Sequence, residues 1–331
     1  MINLPSLKQL RYLVTLSETK HFGKAAEACS VTQSTLSAGI QELETQLDAV
    51  LVDRTKRKVL LTPLGQVMAA RGRELIAQAE EMVLLARAVA EPLAGPLNLG
   101  VIPTVSPFLL PRVLRNLRRR FPKLKLFLRE DLTARLLQQL EAGRLDLLLL
   151  ALPIEARAVE TLPLFSDHFR FACRNDHPLA ESNGVPLPAL QHEALLLLED
   201  GHCLRDHALD ACQLPRPGHG GSGQESVGAT SLHTLVQMVD NGLGVTLLPD
   251  LALQAGILRG TDVVARPVMT PDQGEPPARQ IGLVWRRGTQ RAKEFRLFGE
   301  ALLAALPKPK PVSDKTVAEK SPERSPEEKV T

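Results

Sequence analysis

The stretch GKAAEACSVTQSTLSAGIQELETQL, residues 23–47, decides the fold of the N-terminal part of the chain. Residues 23–29 are small and helix-forming, the next three residues predict a tight turn, and residues 33–47 carry apolar side chains at helical spacing. Thr32 and Ser34 are both suitable N-caps for the second helix. A short alanine-rich helix, a tight turn and a second helix that starts with small polar residues together predict a helix-turn-helix.

The second helix and the segment that follows it carry the candidate DNA contacts. In a helix-turn-helix the second helix enters the major groove, where small polar side chains reach base edges and phosphates. Residues 51–65 predict a β-ribbon with a basic tip, which would follow phosphates or the minor groove as a wing. A polar helix start or a charge run alone is usually a solvated surface, but the two in succession predict DNA binding. The candidate residues are Thr32, Gln33, Ser34, Thr35, Ser37 and Gln41 in the helix and Arg54, Lys56, Arg57 and Lys58 in the wing.

A long helix, roughly residues 63–90, is predicted after the wing, and its apolar stripe suits a dimer-forming linker. A dimer would set two recognition helices on two half-sites. Residues 1–90 resemble the LysR-type family of bacterial transcriptional regulators through the stretch FGKAAEACSVTQSTLSAGIQELETQLDAVLVDRTKRKVLLTPLG. Where that family commonly has Leu-Gly, this chain has Leu47-Asp48-Ala49. The stripe consists of Val67, Leu75, Met82, Leu85 and Val89.

The rest of the chain alternates strands and helices, which predicts an α/β domain with a parallel sheet. Its strands are predicted at 97–102, 123–131, 146–152, 168–174, 194–198, 244–248, 263–268 and 281–287, and its helices at 104–122, 133–145, 231–241 and 291–305. The late return of a strand and a helix predicts two subdomains joined by crossovers with a cleft between them. This pattern resembles the periplasmic-binding-protein-like effector domain of LysR-type regulators.

We therefore expect a winged helix-turn-helix, a long linker helix and an α/β effector domain of two periplasmic-binding-protein-like subdomains. The predicted boundaries are 1–62 for the DNA-binding domain, 63–92 for the linker and 93–306 for the effector domain. Subdomain I would span about 97–165 and 270–306, and subdomain II about 166–269. Residues 307–331 are charged and proline-rich, which predicts a disordered tail.

The segment EDGHCLRDHALDAC, residues 199–212, holds two cysteines nine positions apart. If the segment is helical, their Cα atoms lie roughly 13 Å apart on opposite faces, whereas a disulfide needs them within about 7 Å. A bond between Cys203 and Cys212 would then require the helix to unwind. Three interpretations stay open on spacing alone: inert buried thiols, a metal site with His202 and His207, or a redox switch. The metal interpretation lacks the C-x-x-C spacing of ordinary zinc sites.

In the redox interpretation Cys203 is the attacking thiol. It would lie in the first turn of the helix, where free N–H groups stabilise a thiolate, and we expect His202 and Arg205 to add positive charge. Peroxide would convert Cys203 to a sulfenic acid, and Cys212 would condense with it. Cys29 and Cys173 are expected to be structural core residues.

Several stretches resemble, more closely, the hydrogen-peroxide-sensing members of the LysR-type family. They are GHCLRDHALDAC, VIPTVSPFLLP (101–111), ATSLHTLVQMVDNGLGVTLLP (229–249) and RQIGLVWRRG (279–288). The resemblance implies a switch made of Cys203 and Cys212, a homotetramer, contact with RNA polymerase, and no cofactor or resident metal. It implies a peroxide pocket formed by Thr104, Thr133, His202, Arg205 and Asp206, with Arg279 as a further candidate. Thr104, Thr133 and the pair Thr230-Ser231 each have a simpler interpretation as helix N-caps.

Composition narrows the function further. A net charge of +3 means that DNA binding must come from a local patch, and 3% aromatic residues are too few for base-stacking platforms. No apolar run predicts a transmembrane helix or a signal peptide, so we expect a cytoplasmic protein. Two rivals remain: a LysR-type regulator that answers a small metabolite in the cleft, and a thiol peroxidase or oxidoreductase. The helix-turn-helix and the missing C-x-x-C motif disfavour the enzyme.

Overall fold

The computed structural model describes residues 4–55, 58–88, 92–156, 158–214, 228–270 and 274–306. The predicted tail at 307–331 lies outside these residues, and so do Lys56, Arg57 and Val89. The N-terminal elements are α1 Leu7–Thr19, α2 Phe22–Ala28, α3 Gln33–Gln46, β1 Val52–Thr55, β2 Lys58–Leu61 and α4 Pro63–Ala88. They follow the predicted order of helix, helix-turn-helix, ribbon and long linker helix.

The helix-turn-helix is held by a small core of its own. Leu36, Ile40 and Leu43 of α3 are fully buried against Ala25 and Ala26 of α2. Thr32 is the N-cap, and its side chain accepts a hydrogen bond from the backbone N–H of Thr35 at 3.2 Å. The predicted alternation of polar and apolar residues therefore places the apolar face of α3 inward and its polar start outward.

The wing is tied to α3 through Glu44. Its carboxylate accepts hydrogen bonds from the N–H groups of Leu51 and Val52 at 2.8 and 3.0 Å. Asp48, in the position where the family commonly has glycine, adopts a positive φ of 47°. Asp is one of the few non-glycine residues that accept this conformation, through local hydrogen bonding of its short side chain, so the substitution keeps the turn between helix and wing.

Helix α4 packs on α1 and leaves much of its predicted stripe exposed. The Arg11 guanidinium bonds Glu80 at 2.7 Å, and Arg73 donates to Glu18 and Ser17 at 3.3 and 3.2 Å. The exposed large apolar residues of α4 are Leu64, Val67, Leu75, Met82 and Val83. Of the predicted stripe, the side chain of Leu85 and the whole of Val89 lie outside the description.

The effector domain contains one mixed sheet with helices packed on it. Its elements are β3 Gly95–Val101, α5 Ser106–Arg120, β4 Leu124–Glu130, α6 Thr133–Glu141, β5 Leu147–Leu152, β6 Val159–Arg174, β7 Val185–Pro186, α7 Leu187–Leu190, α8 Cys203–Ala211, α9 Leu232–Asp240, β8 Thr246–Pro249, α10 Asp250–Gln254, β9 Val263–Met269, β10 Ala278–Arg286 and α11 Ala292–Ala305. Gly143, with φ of 69°, ends α6 four residues before the predicted position. No helix in the described part of the chain is long and apolar enough to cross a membrane.

The long strand β6 connects the two parts of the sheet. The strand order is β4-β3-β5-β10-β6-β9-β7, and β8 also pairs with β6. β3 is parallel to β4 and β5, as the βαβαβ pattern predicts, whereas β10 is antiparallel to β5 and β6. The first part of β6 pairs with β10 and its last part with β8 and β9. The predicted domain and subdomain boundaries stay predictions.

Two predicted strands differ from the structure. The strand predicted at 168–174 is longer in the structure and begins at Val159. The sequence pattern does not reveal its first half, because those residues are only partly buried and so lack a clear apolar pattern. The strand predicted at 194–198 forms only two isolated bridges, Leu195 to Val245 and Leu198 to Ala229. Its residues bond two separate segments in turn, so no ladder develops.

Two glycines of α4 provide a test of the joint between wing and linker. A Cβ at Gly65 would clash with the backbone carbonyl of Leu51, whereas a Cβ at Gly72 would make ordinary contacts of 3.5 Å with Leu10 and Val14. We expect Gly65→Ala to lower the free energy of unfolding by roughly 1–3 kcal/mol. Gly72→Ala should leave it unchanged or raise it by up to about 1 kcal/mol, because alanine favours helix. Thermal denaturation of the two variants measures the difference; equal effects would contradict the described joint.

Candidate functional site

The two cysteines of residues 199–212, called the switch segment below, lie at opposite ends of α8. Cys203 is the first residue of the helix and follows the N-cap His202, while Cys212 is the C-cap and donates its N–H to the carbonyl of Ala208 at 3.0 Å. Both thiols are free; Cys203 is half-buried, and Cys212 lies in the main core. The predicted helix between them is confirmed, so a Cys203–Cys212 bond requires α8 to unwind.

The two thiols differ in environment. Burial raises the pKa of the Cys212 thiol to about 12, so this group stays protonated throughout the physiological pH range. Cys203, in contrast, sits at the helix N-terminus with part of its surface open. This asymmetry fits the predicted roles of an attacking Cys203 and a resolving Cys212.

His202 and Arg205 are the two groups predicted to add positive charge around Cys203. Burial lowers the pKa of His202, against the smaller opposing effect of the Glu199 carboxylate, so the neutral imidazole predominates at neutral pH. Arg205 is charged but forms an ion pair with Asp200. The lowered pKa weakens the contribution that we expect from His202 to the positive charge near Cys203.

Thr104 belongs to a buried network that crosses the sheet. The Arg279 guanidinium donates to the Thr104 hydroxyl at 2.7 Å and to the Thr104 carbonyl at 3.0 Å. It also donates twice to the Asp167 carboxylate, at 3.0 and 2.8 Å, and Asp167 accepts the N–H of Leu251. The Arg279 and Asp167 side chains are 0% and 1% exposed. Thr104 is not an N-cap, since α5 starts after Val105 without a side-chain cap.

Thr133 begins α6 next to the loop that precedes Cys203. The N-cap of α6 is Leu132, so the capping interpretation of Thr133 is wrong as well. A Cβ on Gly201 would lie 3.3 Å from the Leu132 side chain, which places the start of α6 against the switch segment. The Thr133 hydroxyl is buried and has no hydrogen-bond partner.

The remaining residues predicted for the pocket or as helix caps are either caps or exposed. Ser231 caps α9 by accepting the N–H of Thr234 at 3.2 Å. Asp206 and Thr230 are exposed, and a role for Asp206 in the pocket stays a prediction. The sequence alone does not identify Asp167 or the buried ion pair that it forms with Arg279. The one indication in the sequence is that Asp167 is the single carboxylate between residues 162 and 173.

One further buried group lies on α8. The Nδ1 atom of His207 is buried without a hydrogen-bond partner, and the sequence suggested this residue only as a metal ligand. Among the described residues, no three His, Cys, Asp or Glu side chains come together as a metal site requires. Cys173 is fully buried, with its pKa raised to about 11 by burial, and Cys29 bonds Thr15 at 3.4 Å, consistent with structural roles.

Most of the DNA-binding residues predicted in α3 are exposed. Thr32, Gln33, Ser34, Thr35 and Gln41 are exposed, and Ser37 is half-buried. Arg54 and Lys58 stand in β1 and β2 at the tip of the wing, and Lys56 and Arg57 lie outside the described residues.

Comparison with known protein families identifies both parts of the chain. A model described as the LysR substrate binding domain matches residues 90–307, and one described as the bacterial regulatory helix-turn-helix protein, lysR family, matches residues 7–66. The chain belongs to the LysR family of bacterial transcriptional regulators. The LysR fold, with a helix-turn-helix and an α/β effector domain, is therefore confirmed, and the chain is a regulator rather than an enzyme.

Individual relatives are similar over nearly the whole chain. The HTH-type transcriptional regulator EstR of Acinetobacter baylyi is 42% identical, over 91% of this chain and 97% of that protein. A probable hydrogen peroxide-inducible genes activator of Streptomyces viridosporus is 43% identical, over 91% and 95%. The structure of full-length OxyR from Pseudomonas aeruginosa, in a variant with one cysteine replaced by aspartate, is 34% identical with a TM-score of 0.74, over 91% of this chain and 95% of that one.

The different environments of the thiols predict an order of labelling in this LysR-family protein. At pH 8 a thiol of pKa about 12 is ionised in roughly one molecule in 10⁴, so Cys212 should resist iodoacetamide, and buried Cys173 likewise. We expect Cys203 to be alkylated at least 100-fold faster than either thiol, as measured by peptide mass spectrometry. Unfolding in guanidinium should abolish the difference. Comparable labelling of Cys212 in the native protein would contradict the described burial.

Proposed function

We propose that this LysR-family protein is a DNA-binding transcriptional regulator that senses hydrogen peroxide through a reversible Cys203–Cys212 disulfide. The observation that carries the proposal is the placement of two free thiols at opposite ends of one helix, with one accessible and one buried. A disulfide in such a place changes the fold around it, and so converts a chemical event into a structural one.

The proposed chemistry has two steps. Peroxide oxidises the Cys203 thiol to a sulfenic acid with release of one water. Cys212 then attacks the sulfenic sulfur, the S–O bond breaks, and the disulfide forms with release of a second water. Before the second step Cys212 must leave the core, and with it the buried apolar face of α8, which consists of Leu204, Ala208 and Leu209.

The surroundings of Cys203 support a small polar ligand. The Thr133 hydroxyl is buried and unpartnered next to the switch segment, and Thr104 is held by the Arg279–Asp167 pair. A buried polar group without a partner is costly, and peroxide can both donate and accept hydrogen bonds. We assign the pocket to Thr104, Thr133, His202, Arg205 and Asp206, with Arg279 as its support.

The output is a change in DNA binding by an oligomer. The exposed apolar residues of α4 suit a dimer that presents two α3 helices to successive half-sites, and a pair of dimers would make a tetramer. Repacking around α8 would change the angle or spacing of these helices. Action on promoter DNA places the protein in the cytoplasm, in contact with RNA polymerase.

The proposal is tested by thiol trapping and operator footprinting on the same samples, before and after micromolar peroxide. We expect rapid formation of a Cys203–Cys212 disulfide and a changed footprint, both lost in Cys203→Ser. Cys212→Ser should stop at the sulfenic acid, and Cys173→Ala is the matched control that keeps the response.

Each other outcome points to a specific alternative. Free thiols at both positions after treatment would contradict the sensor and favour a regulator that answers a metabolite bound in the effector domain. A disulfide with an unchanged footprint would contradict the proposed route to DNA. Sustained peroxide turnover with a reductant would favour an enzyme.

The DNA-binding face is tested separately. Gln33 is exposed at the start of α3, whereas Gln78 is exposed on α4, away from that face. We expect Gln33→Ala to reduce discrimination between operator and mutated operator by roughly 1–3 kcal/mol. Gln78→Ala should leave it unchanged. Fluorescence anisotropy on both DNAs measures the difference, and an equal effect of the two substitutions would refute the assignment.

A further inference from the structure

His207 stands one helical turn after Cys203 on α8. Residues four apart on a helix are neighbours, with Cβ atoms about 5–6 Å apart. Helical side chains also lean toward the helix N-terminus, so the imidazole of His207 leans toward the turn that carries Cys203. Its Nδ1 atom is buried and makes no hydrogen bond. A ring nitrogen is therefore available to a small molecule bound beside the thiol.

The charges around His207 favour its neutral form. Burial is the main cause that lowers its pKa, and the Arg279 guanidinium on β10, which packs under α8, adds to the effect. Asp206 and Asp210 on α8 itself act in the opposite direction but more weakly. Arg279 is engaged by Asp167 on β6. A neutral imidazole has one acceptor nitrogen, which can take a proton.

The other polar groups near Cys203 are less suited to proton transfer. Arg205 is paired with Asp200, and an arginine does not lose its proton in a protein. Asp206 is exposed. His202 precedes the helix and has Glu199 as its charged neighbour. His207 alone in this set combines burial, a free ring nitrogen and a position on the same helical face as Cys203.

We propose that His207 is the residue that takes the proton from Cys203 and returns it to the leaving oxygen of peroxide. The proposal rests on the proposed function. The Cys203 proton passes to the imidazole, directly or through the bound peroxide. The thiolate attacks one peroxide oxygen, the S–O bond forms and the O–O bond breaks. The departing hydroxide takes the proton from the imidazolium, which leaves a sulfenic acid, water and neutral His207.

This role gives the oxidation rate a characteristic pH dependence. The reactive state holds one proton shared between thiol and imidazole. Acid adds a second proton and blocks the thiolate, and alkali removes the proton that the leaving oxygen needs. The rate constant for peroxide should therefore rise and then fall with pH. Alkylation by iodoacetamide needs the thiolate but no proton donor, so its rate should rise without an alkaline decline.

The test compares wild type, His207→Gln and the control His192→Gln in the full-length protein. His192 is an exposed histidine outside the site. Stopped-flow kinetics from pH 5 to 10, with dimedone to trap the sulfenic acid, give the rate of Cys203 oxidation, and iodoacetamide gives thiolate reactivity. At neutral pH we expect His207→Gln to slow oxidation by roughly 10²-fold and to lose the alkaline decline. His192→Gln should match wild type.

Different results would contradict the role of His207 and the proposed peroxide-sensing function. A wild-type rate that rises with pH without an alkaline decline contradicts the role of His207 and needs no variant. Equal slowing of oxidation and alkylation in His207→Gln at every pH would show a merely structural residue. If wild type forms no sulfenic acid or disulfide with peroxide, the proposed function itself fails. His207→Asn, measured alongside, repeats the test if the glutamine variant does not fold.

Discussion

The buried ion pair between Arg279 and Asp167 is the constraint on which the effector domain depends. The two residues lie on the paired strands β10 and β6, and neither side chain meets solvent. Removing one partner of such a pair usually costs 3–5 kcal/mol, because an uncompensated charge stays buried. Both partners make further hydrogen bonds: Arg279 donates to Thr104, and Asp167 accepts from the N–H of Leu251. It therefore fixes the position of the chain after β3 and the start of α10 relative to β10, the strand against which α8 packs.

Packing against the effector-domain core stabilises helix α8. Its apolar face and Cys212 are buried in the main core, which holds the reduced helix in place. Its polar content, however, is high, and residues 202–207 include two histidines whose burial disfavours their charged forms. A covalent bond between the two ends of α8 would offset part of the packing free energy that is lost when the helix unwinds. In the function proposed above, this segment is helical when reduced and unwound when oxidised, and oxidation decides between the two arrangements.

Local patterns in the sequence predicted most helices and strands, but they did not predict which charged groups are buried or paired. The periodicity of residues 23–47 predicted the helix-turn-helix, and the βαβαβ alternation after residue 97 predicted the parallel strands β3, β4 and β5, because each pattern depends on neighbours along the chain. The predicted parallel sheet is wrong for the other half of the domain, where β6 pairs antiparallel with β10, β8 and β9. The failures are long-range. The ion pair of Asp167 and Arg279 joins residues 112 positions apart, and the burial of His202 and His207 depends on what packs over them. The isolated bridges at Leu195 and Leu198 depend on two separate partner segments. Sequence alone therefore found the thiols, but not the groups that govern their protonation.

The separation of the cores explains how a change at α8 can leave DNA recognition intact. The core of the helix-turn-helix and the core of the effector domain share no residue in the described part of the chain. Unwinding α8 disturbs packing in the effector domain only, and the DNA-binding unit keeps its fold. What connects the two is the linker: Ala77 of α4 lies against Gly143 of the effector domain, and the N–H of Leu93 bonds Glu294 at 3.1 Å. Under the proposed function, a signal that passes through these joints would move the recognition helix as a rigid body, and the oxidised regulator would read DNA with the same side chains in a different arrangement.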